Sequence, residues 1–223
     1  MSFLAELQRS RSQVAGMRGF TLIEVLVTIV IMLLGILGVI GMQARSTIME
    51  FESYQRGEAL SLVREMQVHL TDARTIVTGY LDPTVSSTDG SVYVGSGEDA
   101  KDFSAGSVCV AGAAGAPLAQ AQFEMCQWGQ ALQGAAVVED PSTTKVKVGA
   151  MIGARGCVIR VVPAENNALA DLYVTVVWQG QTKGVEPDPK SAAGLCASGV
   201  DFGTGLRRGV SVRVLVPDLT KSS

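Results

Sequence analysis

The feature that most constrains this chain is the run from Phe20 to Met42, FTLIEVLVTIVIMLLGILGVIGM, 23 residues in which Glu24 is the only charged side chain. A helix rising about 1.5 Å per residue over that length reaches across the hydrocarbon of a bilayer. Lipid offers the backbone no hydrogen-bond partner, so the segment must satisfy its own amides as a helix in spite of its many β-branched residues. Arg9, Arg11 and Arg18 precede the run. The positive-inside rule then keeps the short N-terminal segment in the cytoplasm and places everything after Met42 on the far side.

An ordinary cleaved secretory signal has an apolar region of about 7 to 15 residues followed by a small-x-small site. Met42-Gln43-Ala44 fits that poorly. The apolar run instead begins directly after Met17-Arg18-Gly19, which makes the Gly19/Phe20 junction the candidate cleavage site. Cutting there removes Glu6 and three arginines, a leader of net charge +2, and takes the formal charge from −3 to −5. Glu24 is the second anomaly, because a carboxylate inside a membrane segment costs about 2.5 to 3.5 kcal/mol on insertion scales. It is either a snorkelling residue near the helix end or one half of an ion pair. In the second reading its partner is the new α-amino group of Phe20 on a neighbouring copy or paralogue, and the pair fixes register in a low-dielectric bundle.

Gly19-Phe20-Thr21-Leu22-Ile23-Glu24 followed by an apolar helix resembles the class III signal of type IV pilins. The resemblance implies that a prepilin peptidase cuts after Gly19 and N-methylates Phe20, and that Glu24 supports packing into a filament. The continuation through Leu34-Gly35-Ile36-Leu37-Gly38 to Met42-Gln43 is similar to minor pilins of the PilV kind, the type IV pilus modification proteins. The helix-bending proline common near the end of this run in major pilins is absent. Gly35, Gly38 and Gly41 stand there instead, spaced by three and not a GxxxG motif, and either loosen the helix or are ordinary membrane-helix glycines. The implied fold is α+β, a long N-terminal helical spine packed on a C-terminal antiparallel β-sheet head. Its divisions are a leader at 1–19, a membrane or filament-core helix at 20–42, an amphipathic half of the spine at 43–80, and a disulfide-bonded, β-rich periplasmic or extracellular head at 81–223.

Beyond the apolar run, Ile48, Phe51, Ala59, Leu62, Met66, Leu70, Ala73 and Val77 recur at helical spacing, with Gln55 in the one vacant slot and no proline. This predicts that the helix continues and ends near Gly79, with a turn at Asp82-Pro83. His69, the one histidine, reads as a surface or satisfied structural residue. Residues 84–107 read as a long loop with one short strand around Val92-Tyr93-Val94, and Val110–Ala116 as a low-complexity connector. Glu98, Asp99 and Asp102 fit no EF-hand spacing. Gly203-Thr204-Gly205 lacks the context of a phosphate loop. Strands are predicted at Lys145–Val148, Cys157–Val162, Leu172–Trp178 and Val210–Val216, alternating apolar with polar so that one sheet face is buried under the spine and one meets water. Trp178 reads as a packing residue. The strand end at Trp178-Gln179-Gly180, followed by a cysteine-bearing loop and a closing strand, is also similar to the same minor pilins.

Cys109, Cys126, Cys157 and Cys196 all follow the membrane segment, where export makes disulfides the default. Three pairings are possible and the spacing does not choose among them. The preferred one joins Cys109 to Cys126 across a local loop, and Cys157 on a strand to Cys196 in the loop before the closing strand. No C-x-x-C occurs, which argues against a redox dithiol or zinc knuckle. A single His removes most imidazole metal sites, and a formal charge of −3 gives no counterion-displacing basic face for nucleic acid. The expectation is therefore a non-enzymatic pilus subunit with no catalytic residue, metal or cofactor. It starts in the bacterial inner membrane with its head in the periplasm and moves to the pilus at the cell surface. Its expected partners are prepilin peptidase and, through the N-terminal helix, other minor pilins and the major pilin, with no nucleic acid or small-molecule substrate. A type II secretion pseudopilin shares the leader and helix. A periplasmic enzyme or receptor that uses the helix only as a tether is the reading from another class.

Overall fold

The structure, a computed structural model, describes residues 19–72, 74–105, 108–113, 115–134, 151–164 and 168–218. The chain is α+β and divides into two compact units, Met1–Ser46 and Thr47–Ser223. In chain order the elements are α1 (Leu22–Asp72), α2 (Arg74–Val77), a 3₁₀ turn (Gly79–Leu81), β1 (Val94–Gly95), α3 (Pro117–Leu132), β2 (Arg155–Arg160), β3 (Ala170–Gln179), α4 (Ala192–Leu195) and β4 (Arg207–Val216). The described residues of the first unit are its N-terminal lead-in and the apolar part of α1. All the rest belongs to the second unit, the head.

In the head, α1 buries Gln55, Ala59, Leu62, Val63, Met66 and Leu70, one stripe at helical spacing. Ile48 and Phe51, predicted members of that stripe, are exposed, so burial starts two turns later than their spacing suggested. Ala73 lies outside the described residues. The strands form an antiparallel sheet in the order β1-β2-β3-β4, with Val174 opposite Val158 on one side and Val212 on the other. The short strand expected around Val92–Val94 is Val94–Gly95, paired with Gly156 and Arg155. The strand predicted at Lys145–Val148 lies outside the described residues.

α3 is not predicted from the sequence, which suggests no element between the Val110–Ala116 connector and Lys145. Pro117 starts it, where its missing N–H costs nothing, and Gly134, at φ +73, takes the left-handed conformation just past its end. Its buried side chains, among them Ala121, Met125, Trp128 and Leu132, join the α1 stripe and one face of the sheet in a single core. Trp128 Nε1–H donates to the Leu62 carbonyl of α1 at 3.1 Å. Gly156 gives the same indole room, since a Cβ there would lie 2.5 Å from the ring.

The expectation of one wet sheet face is corrected for the central strands. In β3, Leu172, Val174, Val176 and Trp178 face the main core, while Val177 joins Cys157, Ile159, Ala193, Cys196 and Phe202 in a second, smaller cluster. The α4 segment covers that second face, and β3 is buried on both. Only β4 keeps the predicted alternation, with Val214 and Val216 buried and Ser211, Arg213 and Leu215 exposed.

Candidate functional site: the N-terminal end of the helix

Gly19, Phe20 and Glu24 sit together at the start of α1. Gly19, Phe20 and Thr21 precede the helix and are exposed, Phe20 at 82%. Thr21 caps the first turn: the Glu24 backbone N–H donates to the Thr21 carbonyl at 3.0 Å and to Thr21 Oγ1 at 3.3 Å. Thr21-x-x-Glu24 is the capping-box spacing, and a carboxylate in the first turn complements the positive end of the helix dipole. Glu24 thus has a local structural reason, carried by Thr21, that the sequence reading did not single out although the spacing was visible. The helix starts at Leu22, two residues past the exposed Gly19–Phe20 bond.

Every residue of α1 from Leu22 to Met49 is exposed, including Leu26, Ile29, Leu33, Leu37 and Ile40. Monomeric proteins rarely leave a contiguous apolar surface beyond a few hundred square ångströms in water. This surface is all-round rather than one-sided, the pattern of a helix meant for lipid or for neighbouring helices. A Cβ on Gly35, Gly38 or Gly41 would meet nothing within 4 Å in this chain. Among the described residues, no contact within the chain requires those glycines.

The four candidate cysteines are in the head and form two disulfides, Cys109–Cys126 with Cα atoms 5.6 Å apart and Cys157–Cys196 at 5.7 Å. The first pins the loop before α3 to that helix. The second joins β2 to the segment covering the second sheet face, and closing such a loop stabilises by about 2–4 kcal/mol.

Two polar groupings escaped the sequence reading. Glu124 of α3 is buried; its Oε2 accepts from the Tyr80 hydroxyl at 3.0 Å, its Oε1 from Gln120 Nε2 at 3.3 Å, and His69 Nδ1 lies 3.7 Å away. Burial first, then the charge of Glu124, pushes the Tyr80 hydroxyl far above the ordinary tyrosine value, so it remains a donor. His69 is half-exposed beside this carboxylate, in keeping with its structural reading. The second is Asp171, buried in β3, whose two oxygens accept from Arg213 Nε at 3.0 Å and from a terminal guanidinium nitrogen at 2.7 Å. Among the described residues no group of three or more His, Cys, Asp and Glu is placed to hold a metal. Asp102 instead accepts from the Ser104 N–H in a local turn.

Residues 15–40 match the family model of the prokaryotic N-terminal methylation motif. No curated protein and no solved structure matches the chain. The matched stretch spans Gly19-Phe20, the capped helix start and most of the exposed apolar segment. A prepilin-type signal of this class, on a long apolar helix ahead of an α+β head, supports a type IV pilin-like protein, either pilin or pseudopilin.

Proposed function

We propose that this protein is a minor pilin of the type IV pilus, of the PilV kind. Prepilin peptidase cuts it between Gly19 and Phe20 and methylates the new Phe20 amine. Before assembly the subunit sits in the inner membrane with its head in the periplasm. It then enters the filament, or the complex that primes it, and through it adhesion or twitching motility. The observation that carries the reading is the coincidence of the methylation motif with an apolar helix that the described residues leave exposed on all sides. Such a helix exchanges lipid contacts for helix contacts on assembly, and the net cost of removing it from the bilayer stays small.

Glu24 then pairs with the Phe20 amine of a neighbour. The partners are other minor pilins and the major pilin, engaged through α1. The motif points to a structural subunit rather than an enzyme. The same motif serves type II secretion pseudopilins, so the deciding experiment must separate the two systems. Deleting the gene in its own host should reduce surface pili counted by electron microscopy, and the wild-type protein should be recovered in the sheared pilus fraction. Normal piliation together with loss of protein secretion would reject the pilus role in favour of a pseudopilin.

A further inference from the structure

Within the head, the contact of α1 with the core begins at Gln55. From Thr47 to Tyr54 every residue except Glu52 is exposed, whereas Ala59, Leu62, Val63, Met66 and Leu70 are buried. Two polar features meet at that margin. Glu52 Oε1 accepts from the backbone N–H of Gln181 at 3.1 Å, the N–H of Thr182 at 2.8 Å and the Thr182 hydroxyl at 2.7 Å. Arg208 of β4 lies 3.9 Å from the same oxygen and donates to the Thr182 carbonyl at 2.6 Å. A Cβ at Gly180 or Gly184 would come within 3.1 or 2.8 Å of the Arg208 side chain, so these two glycines let the guanidinium lie against the loop. The loop leaving β3 thus cups a helix carboxylate with two amides, a hydroxyl and a nearby cation.

One turn further along α1, Gln55 is 1% exposed, and among the described residues neither its amide oxygen nor its amide nitrogen finds a hydrogen-bond partner. A buried polar group without partners is destabilising, a cost that water removes as soon as the group is reached. One side of the margin is held by directional bonds to a partly exposed carboxylate, and the other stores an unmet demand for hydrogen bonds. Past Gln55 the helix is held by apolar burial and by the Trp128 bond to Leu62, which opening of the margin does not touch.

We infer that Glu52, the Gly180–Gly184 loop and Arg208 form a releasable clasp, which sets whether the α1 turns from Thr47 to Gln55 stay on the head or leave it. On release Gln55 gains water, and opening stops at Ala59, where the apolar core begins. Release lets the Thr47–Gln55 turns of α1 open locally and expose their backbone amides without unfolding the disulfide-tied head. It lies wholly within the head unit and does not depend on which pilus or pseudopilus the chain serves.

The test is hydrogen exchange by mass spectrometry on the full-length chain in detergent micelles, comparing wild type with Glu52→Ala, Glu52→Gln and Gln55→Met. Glu52→Ala should speed exchange in residues 47–55 and 181–182 about tenfold and leave 59–70 unchanged. Glu52→Gln, which keeps an acceptor but loses the charge, should fall between the two. Gln55→Met should slow exchange in 47–55 by at least about threefold, because the closed state no longer carries an unmet amide. Exchange in 47–55 within twofold of wild type in Glu52→Ala would overturn the proposal. So would equal acceleration across 59–70, or a Gln55→Met variant that exchanges as fast as wild type.

Discussion

Tyr80 shows how one side chain serves two elements of the head. Its hydroxyl donates to Glu124 on α3 and lies 3.4 Å from Met66 Sδ on α1, while its backbone carbonyl accepts from Ser86. Tyr80→Phe keeps the ring and leaves the buried Glu124 carboxyl one donor short, with Gln120 and half-exposed His69 as its neighbours. The expected loss is about 1–3 kcal/mol, read as a lower urea midpoint at an unchanged slope. Equal midpoints would mean that water replaces the hydroxyl and that the site is wetter than its burial indicates. At this scale the sequence was informative about the chemistry that is local along the chain. Gly19, Phe20, Thr21 and Glu24 are contiguous, and their capping spacing is visible without a fold. Glu124 was not legible, because what makes it matter is Tyr80, 44 positions away.

Among the elements, strands β2, β3 and β4 were readable to within a few residues, since short runs rich in Val, Ile and other β-formers favour extended backbone, with alternation added in β4. α3 was not. Its glutamines at 120, 122, 127 and 130 dilute the apolar stripe, and Gly129 is a poor helix former. That glycine is where Val94 of β1 approaches, with its side chain 3.2 Å from a built Cβ, so a tertiary contact has overridden propensity. The second buried sheet face was equally hidden, because it depends on α4 and on a disulfide from a position 39 residues distant. The clasp between α1 and the β3 exit has a pH signature of its own. The Thr182 hydroxyl and N–H, with smaller help from Arg208 and Gln181, hold the Glu52 carboxyl below its ordinary 4.5. Its contribution is therefore complete above that value and is lost as pH falls through the lower folded one. Trp178 lines the same recess as Glu52, Arg56 and Arg208. Its emission should shift on acidification below pH 4.5 in wild type and less in Glu52→Gln, a difference that removes the parallel titration of Asp82, Asp89 and Asp102. Identical acid profiles in the two proteins would contradict the clasp's charge dependence.

On the scale of the whole molecule, two kinds of stability are kept apart. The head has a core shared by α1, α3 and the sheet, a second cluster behind the sheet, and two disulfides. Among the described residues nothing covers the apolar part of α1, which gains its stability from whatever medium surrounds it. A chain built this way keeps its head folded while its helix changes environment, which the proposed role requires. The account then turns on one bond, Gly19–Phe20, because an uncut leader would leave no Phe20 amine to pair with Glu24. The most direct measurement is the mass of the N-terminal peptide of the protein isolated from its own host, with and without the prepilin peptidase. The account predicts a peptide beginning at N-methylated Phe20 when the peptidase is present and the intact leader when it is deleted. A peptide that still carries residues 1–19 in peptidase-competent cells, or one that begins after Ala44, would contradict it.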